Sequence, residues 1–353
     1  MNTKRNKKNY RKIYFVRANN TKYGGAEIYL SRISNVLNKN NIDYDVINSI
    51  FPTFLPSWLR AILFNLQVSI FKGKRFYFSL ERITCPDIYR AGDGVHKIFL
   101  SIEKKSKLNP LHPLYLFLEK RCFEKASKII ANSKMVKNNI ISAYGIDSDK
   151  ISVVYSGIEL KEINYQYSFQ KIAQEFQIKE GSPIILFVGS GFKRKGVKEF
   201  LQIIAALKNK EVIAFVVGKE KNLKDYKVLA SELGIQSRVI FTGARLDVND
   251  FYSISDIFLF PTHYEPFGNV ILEAMHFKNV VFTTSQCGAS ELLSHEYIMQ
   301  KPTDFSIINK IDKLLENTPS LKLTQENNRA RSKQFSIEKN FEKTLKIIDE
   351  VIN

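Results

Sequence analysis

EPFGNVILE, running from Glu265 to Glu273, follows the apolar run IFLFPTH from Ile257 to His263. The apolar run reads as a strand that feeds directly into the glutamate stretch. Pro266 reads as the first residue of a helix, where its missing N–H leaves nothing unsatisfied. That reading sets Glu265 at the helix mouth and Glu273 two turns on, about 12 Å along the axis at ~1.5 Å per residue. Two carboxylates so placed suit two separate groups of one extended ligand. Phe267, Gly268, Asn269 and Val270 are then expected to present backbone N–H groups at the positive helix end, which favours phosphate or sugar oxygens. The plain structural alternative is a helix with an acidic first turn and one exposed glutamate.

EPFGNVILEA after a strand ending in PTHY resembles the nucleotide-contacting motif of the retaining glycosyltransferases of family 4. The similarity runs over most of the chain and is stronger after Pro183 than before it. It implies that Glu265 contacts the donor sugar and Glu273 the nucleotide ribose. It implies the GT-B fold: α/β, with two doubly wound Rossmann-like domains facing a cleft and a C-terminal helix crossing back to the first domain. It also implies a nucleotide-sugar co-substrate, expected as a UDP-sugar, and no other cofactor.

The chain has 353 residues, more than one ordinary core accommodates, and suits two domains. A hydrophobic fraction of 44% is that of a globular protein. No run reaches the roughly 18 apolar residues of a membrane span. Cys85, Cys122 and Cys287 lack metal-like spacing and read as free thiols of a reducing cytosol. The net charge of +18 is uneven: residues 1–160 hold 27 Lys and Arg against 12 Asp and Glu, and the remainder 26 against 23. The basic half points to an anionic partner such as a membrane surface, an anionic saccharide or a nucleic acid. Six of those cations lie in the first twelve residues, which read as a frayed arm.

Strand and helix patterns alternate along the whole chain, as in parallel sheets covered on both faces. KIYFVRA, YDVINSI, RFYFSLE, DIYRAGD, SKIIANS and KISVVYSG supply strands in the first half. PIILFVGS, EVIAFVVG, RVIFTGA, IFLFPTH and NVVFTTS supply them in the second. The helix MVKNNIISAYG ends at Gly145 as its cap. Residues 158–181 are polar and read as a linker. The expected domains are 1–165 for the acceptor and 166–335 for the donor. A last helix over 336–353 has apolar residues at Phe341, Leu345, Ile348 and Ile352. The helix from Pro56 to Phe71 admits two readings, one with its apolar residues in the core and one with Trp58, Leu59, Ile62, Leu63 and Phe64 at a membrane interface.

GSGFKRKG, Gly189 to Gly196, follows the first strand of the second half. Its glycines with Arg194 and Lys195 read as a diphosphate clamp, since two cations at a helix N-terminus oppose the dipole and need an anion to justify them. The family pattern has an arginine soon after the first glycine. Here Ser190 stands there, and Arg194 takes that role by resemblance. Gly24 and Gly25 occupy a strand-to-helix turn, where the backbone can approach a phosphate; the resemblance places such a pair near the diphosphate. In DGVH, Asp93 and His96 lie just past a strand end, where α/β ligands bind; the resemblance implies a polar residue near this point that faces the reacting sugar carbon, and either fits. His263 adjoins Glu265. By the resemblance, Gly288 and Ala289 are candidates for donor contacts through backbone N–H, and Arg245 for contact with the base. No metal cluster and no acidic pair at a strand end is visible, so a metal-independent reaction is expected.

The reading is therefore a retaining glycosyltransferase acting on a saccharide or lipid-linked acceptor, resembling enzymes that build lipopolysaccharide and other bacterial surface glycans. The expected location is the cytoplasm, at the inner face of the membrane. Two other readings use the same features: a GT-B epimerase or phosphorylase, and a basic nucleic-acid-binding protein. The latter is not supported by any concentration of stacking aromatics among the basic residues.

Overall fold

The apolar runs become two six-stranded parallel sheets in the computed structural model, which describes residues 12–19, 25–103 and 109–352. The chain divides into two units, Met1–Tyr155 with Ile337–Asn353, and Ser156–Ser336.

In the first unit, β1 (Ile13–Val16), β2 (Tyr44–Ile47), β3 (Phe76–Ser79), β4 (Ile88–Ala91), β5 (Lys128–Ala131) and β6 (Ile151–Val153) lie in the order β2-β1-β3-β4-β5-β6. The connecting helices are α1 (Gly25–Lys39), α2 (Ser57–Ile70), α3 (His96–Glu103), α4 (Leu111–Lys125) and α5 (Lys134–Tyr144). The period of two along β3 serves both faces. Phe76 and Phe78 pack with Ile33 and Leu37 of α1, while Tyr77 packs with Phe64 and Val68 of α2. Helix α5 begins where the Ser133 hydroxyl accepts the Val136 N–H and ends at Gly145 with φ 64°, a conformation a side chain would strain.

The second unit contains α6 (Tyr165–Phe176), β7 (Ile184–Val188), α7 (Phe192–Lys195), α8 (Val197–Ala206), β8 (Ile213–Val217), α9 (Leu223–Glu232) and β9 (Val239–Gly243). It continues with α10 (Val248–Ile254), β10 (Ile257–Phe260), α11 (Asn269–His276), β11 (Val280–Thr284), β12 (Ile298–Met299), α12 (Ile307–Glu316) and α13 (Thr318–Ser332). The order is β12-β11-β10-β7-β8-β9. Because β7 and β10 are parallel neighbours, the loops that leave them emerge at one edge of the sheet. That adjacency brings GSGFKRKG beside PTHYEPFG.

The last helix, α14 (Ile337–Ile352), belongs to the first unit, as the resemblance implies. Phe341, Ile347 and Ile348 enter the cluster of Ile33 and Leu37. Asn340 donates to the Tyr155 carbonyl at 2.6 Å.

Two expectations are corrected. The polar stretch 158–181 is not a linker throughout, because it carries α6, capped by the Asn164 side chain. Phe176 packs against Phe215 and Phe251, and Lys171 reaches Asp247 at 2.6 Å and Asp250 at 2.7 Å. Helix α2 is divided rather than wholly core or wholly interface: Phe64 is buried, while Trp58, Leu66 and Ile70 are exposed. Among the described residues no helix is long and apolar enough to cross a membrane.

Candidate active site

The first strand of the second unit, β7, is followed by Gly189, whose N–H donates to the Val217 carbonyl at 2.8 Å. The chain then makes the single turn α7 and closes at Gly196. The carbonyl of Arg194 accepts the His263 N–H at 2.9 Å and the Thr262 hydroxyl at 3.2 Å, which ties this turn to the loop after β10. Arg194 Nη1 donates to the Tyr264 carbonyl at 2.5 Å and to Glu265 Oε2 at 3.1 Å. Lys195 Nζ lies 3.6 Å from the same carboxylate oxygen and 5.3 Å from the centre of the Phe260 ring. One carboxylate thus sits between two cations, all three side chains partly shielded. Gly189 is what lets Lys195 lie across the turn, since a Cβ there would stand 2.6 Å from Lys195 Cδ. Arg194 and Lys195 end the single turn α7 and directly precede α8, whose N-terminal flank is Gly196, so the two cations stand at a helix N-terminus as expected. Glu265 supplies a negative charge beside them.

Pro266 does not open the helix. Helix α11 starts at Asn269, and Gly268 is its N-terminal flank with φ 91°; a Cβ at Gly268 would meet Cys287 Sγ at 2.9 Å. Glu265 instead pairs as an isolated parallel bridge with Cys287. Its N–H donates to the Gln286 carbonyl at 3.0 Å, and its carbonyl accepts the Gly288 N–H at 2.9 Å. The Ala289 N–H donates to the Phe267 carbonyl at 2.8 Å, and Cys287 Sγ lies 3.0 Å from that same carbonyl. Gly288 and Ala289 therefore hold the Glu265 loop with the N–H groups expected to meet the donor. Burial, with Glu265 adding to it, pushes the Cys287 thiol up to about 12, so it stays protonated and inert. The first turn of α11, Asn269 and Val270, has no side-chain cap. It faces out of the helix as an N-terminus open to an anion. Glu273 accepts a long hydrogen bond from Tyr252 at 3.4 Å. Burial, then Glu273, raises the Tyr252 hydroxyl well above its usual range.

His263 Nε2 is 3.3 Å from Glu199 Oε1 at the start of α8. Burial alone would raise Glu199, but the His263 hydrogen bond and a backbone N–H outweigh it and lower its pKa. Arg245 is not free for a base. Its guanidinium grips Glu175 through two hydrogen bonds of 2.7 Å and Asp247 through two of 2.9 Å. These pairs raise its pKa above the ordinary range and clip α6 to the loop before α10.

In the first unit, Gly24 lies outside the described residues and Gly25 opens α1, exposed. Asp93 is half exposed, 3.7 Å from Arg17, which also pairs with Glu27 at 3.0 Å and Glu81 at 3.3 Å. His96 opens α3. Its ring is 3.2 Å from His112 Nδ1 and stacks on Phe99, and its N–H donates to Glu119 at 2.7 Å. Burial and the Arg82 charge lower His96 to about 4, so it is neutral near pH 7. Sequence reading missed the hub beneath it. Glu119, wholly buried, takes Arg82 at 2.9 Å and the Tyr144 hydroxyl at 2.7 Å. No spacing signal links residues 37 positions apart. Among the described residues no group of three or more His, Cys, Asp or Glu converges as a metal site.

Residues 168–331 match the family described as Glycosyl transferases group 1, and residues 90–162 match Glycosyltransferase Family 4. Both matches are to glycosyltransferase families, and together they span most of the chain. Its similarity to the lipopolysaccharide glucosyltransferase WaaG of Escherichia coli is 28% identity over 219 residues, 59% of this chain and 58% of that protein. The chain spans little more than half the length of several curated relatives that it matches. A crystal structure of WaaG, a glycosyltransferase involved in lipopolysaccharide biosynthesis, superimposes with a TM-score of 0.80 at 21% identity, covering 95% of this chain and 99% of that one. Anabaena HepE, solved with UDP and glucose, gives 0.72 at 20% identity over 97% of this chain and 100% of that one. The chain thus has the GT-B fold.

Proposed function

We propose that this chain is a retaining family 4 glycosyltransferase that moves a sugar from a UDP-sugar to a saccharide or lipid-linked acceptor in surface-glycan assembly. The observation that carries this reading is the seat formed by Arg194, Lys195 and Glu265 beside the open first turn of α11. In the ligand-free arrangement Glu265 serves as the counter-ion of both cations. A diphosphate entering the seat takes over the cations and releases the carboxylate toward the sugar hydroxyls. As the sugar–phosphate bond breaks, negative charge grows on the leaving diphosphate. Fixed cations and helix N–H groups stabilise that charge more than they stabilise the ground state. This chain's own charges supply the neutralisation, so the proposed reaction is metal-independent. Glu273, deeper in α11, is assigned the ribose hydroxyls. Similarity to WaaG and the UDP complexes of HepE support a UDP donor and a glycan product; an epimerase, a phosphorylase and a nucleic-acid binder gain no such support. The test is incubation with a panel of UDP-sugars and deacylated glycolipid acceptors. Release of UDP with the anomeric configuration kept, read by NMR, is expected. Inversion, or conversion of donor without acceptor, refutes the reading.

The same reading includes docking on an anionic membrane. Ile50, Phe54, Trp58, Leu66, Ile70 and Phe71 are exposed in the first unit, and Lys74 and Arg75 follow closely, while Lys72 is paired with Asp87. Apolar side chains bordered by cations suit a lipid interface, each cation adding about 1 kcal/mol near anionic headgroups. Flotation with anionic vesicles, lost in neutral vesicles and at high salt, is the expected result. Equal recovery with both vesicle types refutes it.

A further inference from the structure

The first unit contains a cavity of about 170 Å³ lined by Asn19, Ser49, Arg60, Glu81, Arg82 and Tyr115, among others. Asn19 follows β1, Ser49 follows β2, and Glu81 with Arg82 follow β3. The cavity therefore opens at the carboxyl ends of three adjacent parallel strands. The chain goes from β1 to β2 on one side and returns to β3 on the other side of β1. Such a reversal leaves the crevice in which open α/β sheets bind ligands.

The charges in this cavity are not equivalent. Glu81 is held by Arg17 at 3.3 Å, and Arg82 by the buried Glu119 at 2.9 Å and by the Gly94 carbonyl at 3.3 Å. Arg60 is different. Its Nη2 donates to the Asn19 side chain at 2.7 Å, a neutral partner. Its Nε is buried without any hydrogen-bond partner, and no carboxylate among the described residues pairs with it. A buried guanidinium N–H without an acceptor is costly unless something else accepts from it. Tyr115 lines the same space with an aromatic face beside Arg82, with its ring centre 5.8 Å from the guanidinium. An aromatic wall, hydroxyl and amide groups, and one cation awaiting an acceptor together describe a site for a sugar ring that carries an anion.

We propose that this cavity recognises a saccharide unit of the acceptor through an anionic substituent, phosphate or carboxylate, accepted by Arg60. The proposal rests on the glycosyltransferase reading above for the word acceptor, but its binding test does not. The experiment is titration calorimetry of the full chain with glucose 6-phosphate, glucuronate and methyl glucoside, each with and without excess UDP. At least one charged sugar is expected to bind at least 10-fold more tightly than methyl glucoside, and UDP is expected not to displace it. The tighter of the two identifies phosphate or carboxylate. Arg60→Ala should weaken that binding at least 10-fold, and Arg60→Lys should restore part of it. The proposal is overturned if methyl glucoside binds as well, if neither charged sugar binds, if UDP displaces the sugar, or if Arg60→Ala changes nothing. Failure of UDP itself to bind the wild-type chain would refute the donor reading and leave this one standing.

Discussion

Replacing Glu265 by Gln should make the protein bind UDP more tightly while making it a poorer enzyme. In the structure the carboxylate pairs with Arg194 at 3.1 Å and with Lys195 at 3.6 Å, and the three side chains retain 16–29% exposure. Ion pairs of this partly solvated kind are worth about 0.2–1 kcal/mol each. UDP must displace both pairs or tolerate the carboxylate as a like charge, and either costs binding energy. Removing the charge returns about 0.4–2 kcal/mol, which at ~1.4 kcal/mol per decade is a UDP dissociation constant about 2-fold to about 30-fold lower. The sugar-bearing donor gains less. A hydroxyl bound to a carboxylate contributes about 1.5–3 kcal/mol, and one bound to a neutral amide about 0.5–1.5 kcal/mol. The ratio of UDP-sugar to UDP affinity should therefore fall by about 10-fold, and turnover with it. Titration calorimetry of both ligands against both proteins, at one ionic strength, reads these shifts. Weaker UDP binding by the Gln variant would show that Glu265 does not compete with the diphosphate, and the counter-ion argument would be wrong.

Lys195→Ala should lower kcat by about 10²-fold with a smaller change in KM, because it removes a fixed charge needed most in the transition state; unchanged kcat in a stopped assay would refute the clamp. Arg245→Ala should leave UDP affinity as it is and lower the melting temperature, since its guanidinium is held by Glu175 and Asp247. A lost UDP signal would restore it to the donor site. Arg82→Ala leaves Glu119 charged and buried, which costs about 3–5 kcal/mol, read as a lower denaturation midpoint; a shift under 1 °C in melting temperature would refute the hub. His96, lowered to about 4 by burial and then Arg82, binds fewer protons in the folded chain than in the unfolded one between about pH 6.5 and 4. Stability should fall as the pH drops through that window and level off beneath it, and His96→Gln should flatten the slope in urea titrations at pH 7 and 4.5.

The parallel sheets were legible because buried strands flanked by helices read as short unbroken apolar runs. IFLFPTH and PIILFVGS stand out for that reason and become β10 and β7. Helix α6 was passed over although Phe169, Ile172 and Phe176 stand at helical spacing, because the residues around them are polar and the stretch lies between the two halves. Strand β12, Ile298–Met299, is too short to show a period at all. Proline misled in one place. Pro266 suits a helix start, but the backbone at Glu265 is bridged to Cys287, and the turn at Gly268 must be made before α11 can begin.

The candidate site divides along the same physical line. Glu265, Arg194 and Lys195 could be found by reading because each lies within a few residues of the end of a strand, and those two strands are neighbours in the sheet. Their meeting needs only the parallel pairing of β7 with β10. The groups that set their geometry could not be found this way. Glu265 is held in place by the N–H of Gly288, which arrives from the end of β11, so the small residues there hold the loop. Arg245 meets Glu175 across 70 positions, and nothing in the local pattern distinguishes an arginine that awaits a ligand from one that already has a carboxylate. Arg60 shows the converse. On α2 it reads as a cation interrupting an apolar face, and only the fold, by giving it Asn19 instead of an acid, leaves its charge unmatched. In this chain the positions of the charges are local properties of the sequence, whereas which charges remain available to a ligand is decided by contacts between distant segments.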